Sequence, residues 1–293
     1  MIHFVYRLKL SQEIGNFGNS MLNSLHPHPN NALITQRGRA YFVKGKRITA
    51  PSVSEAVKVY YHPFNKKEVL ANIRSNDKRR LKADGTSRTD DEMVQRWAEN
   101  AEYGESLHKV VEDYYNGIPI PEDKAFELRH FVAWDKAKPA DWVPYWTEQA
   151  IWCPHRHDDE ITAGRIDMLF TDGQGKFFHV DWKFADADYA YGRNKSRVYC
   201  TCNAWRFGDV ECVEHEFGCK AIGPTEQTKH LLMYKWAGYA GNNSLYSEML
   251  RRNYGFNIVE SRLVFLHPDL AEYVERFVDF EKHASLVNSI IGA

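Results

Sequence analysis

The chain contains no apolar run long enough to cross a bilayer, so no membrane span is expected. Its start, MIHFVYRLKLSQ, lacks a charged segment followed by a sustained apolar one. No export signal is read there, and an intracellular protein is expected. Net charge is only −1. A nucleic-acid partner would therefore have to be held by local basic patches rather than by a global field. Cysteine is scarce outside one stretch, with four of the five lying between positions 200 and 219. An odd, clustered set without an export signal argues against a disulfide framework and for metal or free thiols. No internal repeat or low-complexity tract occurs.

What is present suffices for a sizeable core. The 293 residues are 43% apolar and 14% aromatic, enough for one large or two small domains. One stretch, AGRIDMLFTDGQGKFFHVDWKFA (Ala163 to Ala185), reads as two strands joined at Asp172 to Gly175, a strong hairpin signal. Acids stand where core residues are expected. Asp167 interrupts the first strand, and Asp181 ends the second with Lys183 two residues on. Residues i and i+2 share a strand face, so Asp181 and Lys183 stand side by side. A three-residue loop of Gly173, Gln174 and Gly175, with Gly175 left-handed, puts Asp167 opposite Asp181. Two facing carboxylates beside an ammonium suit a hard divalent cation and an activated water. A salt-bridged hairpin is the plain alternative.

Leu33 to Ile48 reads as a hairpin turning at Lys44-Gly45-Lys46, and it carries Arg37, Arg39 and Arg47. Ala50-Pro51-Ser52 begins a helix. Lys66 to Lys82 holds seven basic and two acidic residues. It is either a solvated helix face or a phosphate-contacting surface that includes Lys78, Arg79 and Arg80. Thr89-Asp90-Asp91-Glu92 matches a capping box. A long helix follows to Asn116-Gly117, with Met93, Trp97, Ala101, Gly104, His108, Val111 and Tyr115 at helical spacing. A second helix is expected over Lys124 to Lys136, with Phe126, Phe131 and Trp134 as its apolar side. Val143 to Trp152 reads as a strand on which Glu148 shares a face with Trp146, Ala150 and Trp152. A carboxylate among tryptophans needs a partner, and a neighbouring strand carrying a metal would supply one. The loop that follows, with Cys153, His155 and His157, is read as a loop rather than a metal site.

Beyond the hairpin, Arg193, Lys195 and Arg197 form a short basic cluster. Cys200, Cys202, Cys212, His215 and Cys219 follow with the spacing C-x-C-x9-C-x2-H-x3-C. Four N or S ligands from two chelating turns suit zinc, and the spacing leaves open which four of the five. Few apolar residues accompany them, so 186–224 is read as a small insertion folded around its own metal. Thr225 to Tyr239 is a helix candidate with His230 and Tyr234 on one face. Ile258 to His267 is a strand, and Asp269 to Ala284 a closing helix with Leu270, Tyr273, Val274 and Phe277 on one side.

Taken together, GESLH (Gly104 to His108), GRID (Gly164 to Asp167), VDWK (Val180 to Lys183) and HLLMY (His230 to Tyr234) resemble the ordered motifs of the PD-(D/E)XK nuclease superfamily, in its RecB-like and lambda-exonuclease-like branch. TAPSVSE (Thr49 to Glu55) and VFLHP in the closing strand are similar to viral and mitochondrial exonucleases of that branch. The likeness covers roughly residues 89–185 and 225–280. His230 stands where such proteins often have glutamine. Iron–sulfur members place their last three cysteines near the C-terminal end, so the cysteine set here is read as zinc.

The resemblance implies an α/β (α+β) fold with a restriction-endonuclease-like core, a central mixed sheet flanked by helices. Residues 1–88 would form an N-terminal region with basic patches, and 89–293 the nuclease core, interrupted by the insertion. Asp167 and Asp181 would bind Mg²⁺ or Mn²⁺ together with the Trp182 backbone carbonyl, and His108 would be a further ligand. Glu148 would hold water at the metal. Lys183 would orient or deprotonate the attacking water and offset developing charge, with Tyr234 supporting it or contacting phosphate. Arg37, Arg39, Lys78, Arg79, Arg80, Arg193 and Lys195 would track a nucleic-acid backbone, DNA in the first instance. The implied activity is metal-dependent phosphodiester hydrolysis, as an exonuclease in recombination, repair or replication. A structure-specific or RNA-cleaving endonuclease is the alternative within the superfamily. A non-catalytic, zinc-containing nucleic-acid-binding module is the alternative outside catalysis.

Overall fold

The computed structural model describes residues 21–61, 66–73, 80–82, 84–156, 159–185, 225–231 and 236–292. In chain order the elements are α1 (Met21–Leu25), β1 (Ile34–Arg37), β2 (Ala40–Val43), β3 (Lys46–Arg47), α2 (Val53–Lys58), α3 (Lys66–Asn72), α4 (Asp90–Tyr115), α5 (Arg129–Ala137), β4 (Val143–Pro154), β5 (Ile161–Thr171), β6 (Lys176–Lys183), α6 (Ala237–Tyr254), β7 (Asn257–Phe265), β8 (Val274–Phe277) and α7 (Phe280–Ile291). Strands β1, β2 and β3 make a small antiparallel sheet, and β4 to β8 pair in sequence order as a five-stranded one. The β6–β7 pair is parallel, and the other neighbours in the larger sheet are antiparallel. A parallel pair needs a crossover, and α6 lies within the connection. The architecture is α+β, a mixed sheet with helices against it.

Local chemistry explains the first half well. Thr89 caps α4, and its hydroxyl accepts from the Glu92 backbone N–H while the Glu92 carboxylate accepts from the Thr89 N–H. The β5–β6 turn uses Gly173 and Gly175 at φ 71° and 96°, values that L side chains rarely adopt. The Asp172 N–H donates to the Lys176 carbonyl at 3.2 Å, closing a three-residue loop. The segment over 34–47 makes two turns rather than one, the first at Gly38 and the second at Lys44-Gly45.

Two large apolar clusters clasp the sheet, and a smaller third joins Ala240 of α6 to Leu263, Phe265 and Val274. One joins Leu107 and Val111 of α4 and Phe131 and Trp134 of α5 to Met168, Phe170, Val180 and Trp182 of the sheet. The other joins Trp146, Ile151, Ile166 and Leu169 to Leu245, Met249 and Leu250 of α6 and Leu286 and Val287 of α7. Ile34, Val43, Val53 and Val57 belong to this second cluster, so the N-terminal elements share the sheet's core.

Three expectations about helices are corrected. The second helix begins at Arg129, not near Lys124, and Phe126 is 67% exposed in the turn before it, covered by the Arg129 guanidinium. Residues 269–284 are not one helix. Val274 to Phe277 pair with β7 as an edge strand, and α7 starts at Phe280 behind an Asp279 cap. Sheet pairing outweighs helical periodicity there. Residues 225–230 form turns, and the helix runs instead over Ala237–Tyr254, stopped by Gly255 at φ 69°.

Candidate active site

The β5–β6 ladder runs Thr171↔Phe177, Phe170↔Phe178, Leu169↔His179, Met168↔Val180. The next rung places Asp167 opposite Asp181, as the turn chemistry requires. Main-chain pairing between the two strands stops at that rung. The Trp182 N–H donates instead to Asp167 Oδ2 at 2.9 Å. A carboxylate thus takes the place of a ladder carbonyl.

Strand β4 extends the row. Gln149 pairs with Ile166 and Thr147 with Met168, so Glu148 lies at the Asp167 rung. Glu148 has φ 47°, the left-handed region that a residue with a Cβ rarely occupies. Alternation breaks here in β5. Ile166 and Leu169, three apart, enter one core cluster, while Met168, two from Ile166, enters the other. Strict alternation would do the reverse. Such a local kink re-aims a side chain. Glu148 accordingly does not settle among tryptophans as expected. Its Oε2 meets Arg165 Nε at 2.8 Å, and its Oε1 lies 3.5 Å from His108 Nδ1. His108 Nδ1 also lies 3.5 Å from Asp167 Oδ2.

One ligand-type atom each from His108, Glu148 and Asp167 falls within 4.8 Å of the others. An imidazole and two carboxylates, all partly buried, make a donor set that fits a divalent cation such as Mn²⁺ or Mg²⁺. Burial lowers the His108 pKa, but the Asp167 and Glu148 carboxylates outweigh it and leave the imidazole above its ordinary value. The site in effect attracts positive charge.

Asp181 stands beside Lys183 and across from Asp167, as expected. It is paired with Lys183 and stands beside the His108–Glu148–Asp167 group rather than within it. Burial raises its pKa to about 6, with Lys183 opposing and Asp167 adding to the rise. Burial also works against the Lys183 charge, yet Asp181 and Asp167 hold the lysine above its usual range. The Lys183 ammonium lies 5.0 Å from the Tyr239 ring centroid. Tyr239 opens α6 and was not singled out in the sequence. Its signal is weak, since it closes the helix expected over Thr225 to Tyr239, where His230 and Tyr234 draw the attention.

Gly164 of the GRID motif has a packing role. A Cβ there would stand 2.6 Å from the Tyr246 ring of α6. His230 faces α7, with Nε2 2.7 Å from the Lys282 carbonyl, while Tyr234 lies outside the described residues. So do Lys78, Arg79, Arg193 and Lys195 and the whole cysteine set, Cys200, Cys202, Cys212, His215 and Cys219. Arg80 is corrected. It is 7% exposed, donates to the carbonyls of Ile73, Leu70 and Arg88, and pairs with Asp90. It ties α3 to the start of α4 and is not part of an open basic surface. Arg37 and Arg39 are exposed on the small sheet. No helix among the described residues is long and apolar enough to cross a membrane.

No protein-family model matches the chain, and no curated protein matches it.

Proposed function

We propose that the protein is a metal-dependent nuclease that hydrolyses phosphodiester bonds, with DNA as its substrate. The observation that carries this reading is the convergence of His108, Glu148 and Asp167 within 4.8 Å, beside the buried Asp181–Lys183 pair. A salt-bridged hairpin has no need of a histidine brought from α4 or of a glutamate held at positive φ. When bound, a divalent cation would supply Lewis-acid stabilisation and an activated water. His108, Glu148 and Asp167 would hold it, with Asp181 available beside them.

Lys183 then acts as a fixed cation. Its raised pKa keeps it protonated at neutral pH, which suits it to orient a phosphate oxygen and offset the charge that grows there. Proton abstraction falls to a carboxylate. Asp181 anchors the lysine, and Tyr239 covers it from α6. In the reaction a water oxygen bonds to phosphorus, the P–O bond to the leaving nucleoside breaks, and that oxygen takes up a proton.

The test is incubation with end-labelled single- and double-stranded DNA and RNA in Mg²⁺, Mn²⁺ or EDTA. Cleavage is expected with metal and not in EDTA. Lys183→Ala should lower the rate about 100-fold or more. No cleavage in Mn²⁺, or cleavage that survives Lys183→Ala, overturns the reading. The pattern of labelled products separates stepwise removal of nucleotides from internal cutting.

A further inference from the structure

A cleft of about 460 Å³ opens between the small β1–β3 sheet and the start of α2. Arg37, Arg39 and Arg47 line it, and all three are exposed. None of the three forms an ion pair among the described residues. Glu55 is the one acid in the lining, and its carboxylate is already used at the α2 cap, where it accepts from the Ser52 N–H and Oγ–H at 3.0 and 2.9 Å. Arg37 lies 5.3 Å from the Phe42 ring centroid, but no free acid in the lining offsets the three charges, and like charges without a counter-charge repel one another.

The cleft also adjoins the catalytic row. Ala163 of β5 is in its wall, four residues before Asp167, or about 13 Å along an extended strand. Tyr41 lines it too. Its phenol is shifted upward by burial and feels the charges of Arg165 and Glu148, so it stands within electrostatic reach of both. Arg165 in turn bonds Glu148. Tyr41 and Arg165 therefore link the wall of the cleft to the Glu148 carboxylate.

We infer that this cleft holds successive backbone phosphates of the one nucleic-acid strand that enters the catalytic site. Guanidinium groups suit phosphate by planar, paired hydrogen bonding. The inference rests on the nuclease reading for what lies at the far end of the path, but binding in the cleft needs no catalysis.

Affinity for a fluorescein-labelled oligodeoxythymidylate, measured in EDTA over a range of salt, tests it. Each phosphate contact on a single strand adds about 0.7 to the slope of log affinity against log salt. The triple variant R37A/R39A/R47A should flatten that slope by about two, and the triple lysine variant R37K/R39K/R47K should restore it. K44A/K46A/K58A removes the same charge from residues outside the lining and serves as the control. A flattening below about one, or one no greater than in the control, overturns the inference, as does a wild-type protein that does not bind the strand. The two readings fail separately. Slope loss in a protein that never cleaves keeps the cleft and sinks the nuclease. Cleavage with an unchanged slope sinks the cleft alone.

Discussion

On one face of β6, Phe178, Val180 and Trp182 join the apolar cluster that holds Phe131 and Trp134. On the other face, His179, Asp181 and Lys183 meet α6, where His179 Nδ1 lies 3.2 Å from Ser247 Oγ and Lys183 lies over Tyr239. Both faces belong to one central strand, flanked by β5 and β7. Central strands of this kind commonly bury apolar residues on both sides. Here one face supplies cohesion and the other is given over to charge. The helix over the polar face matches it. Asn243, Ser244 and Ser247 of α6 are buried there, and Asn243 Nδ2 reaches Ser261 Oγ and the Arg262 carbonyl. A polar seam of this kind costs stability unless each group finds a partner. Its persistence is understandable if Asp181 and Lys183 serve chemistry.

The largest expected effect breaks the apolar face. Trp182→Ala should cost about 3–5 kcal/mol, read from the urea midpoint, because Trp182 is 1% exposed and edge-on to Phe131 and Trp134. A loss below about 1 kcal/mol would mean that this face is not the cohesive one.

The next effect sharpens the polar face. Burial lowers the His179 pKa from 6.5 to about 4. Between those values the unfolded chain binds a proton that the folded protein refuses, so stability falls as pH falls from 6.5 towards 4. Asp181, raised to about 6, acts in the opposite sense over its own range in both proteins, and the His179 charge opposes that rise only in wild type. Acidification across that window in EDTA should therefore cost wild type about 3 kcal/mol more than His179→Asn. Parallel pH profiles of the two proteins would show that His179 is not held neutral.

The smallest effect lies at the kinked rung. Glycine ordinarily weakens a strand relative to alanine. At Glu148, with φ 47°, the order should reverse. Glu148→Gly should be more stable than Glu148→Ala by about 1 kcal/mol. An alanine variant as stable as the glycine one would argue that the backbone there is not strained.

Much of the site was legible beforehand where the governing chemistry is local. The Asp172 to Gly175 turn sets the β5–β6 register, and the register sets Asp167 against Asp181. The Thr89–Glu92 box starts α4 and so carries His108 to its place. These depend on backbone geometry and hydrogen bonds within a few residues. Helix α6 was not legible, because the first half of its buried face is written in alanine, glycine, asparagine and serine, and only Leu245, Met249 and Leu250 further on mark its side against the apolar core. Its apolar residues are gathered toward the C-terminal half, and its first three residues fall at the end of the helix expected over Thr225 to Tyr239. The expected helix over 269–284 failed for a related reason, since Val274 to Phe277 are claimed by an open edge of β7.

Residue order thus settled which acids and which lysine share a strand face, since turn type and the two-residue period leave no freedom there. It did not settle what those groups meet. The kink at Glu148 that turns it towards His108, the seating of His179 against Ser247 and the cover that Tyr239 gives Lys183 all join residues distant in the chain. Such contacts are chosen by packing and charge across the folded molecule, and no short window of sequence contains both partners.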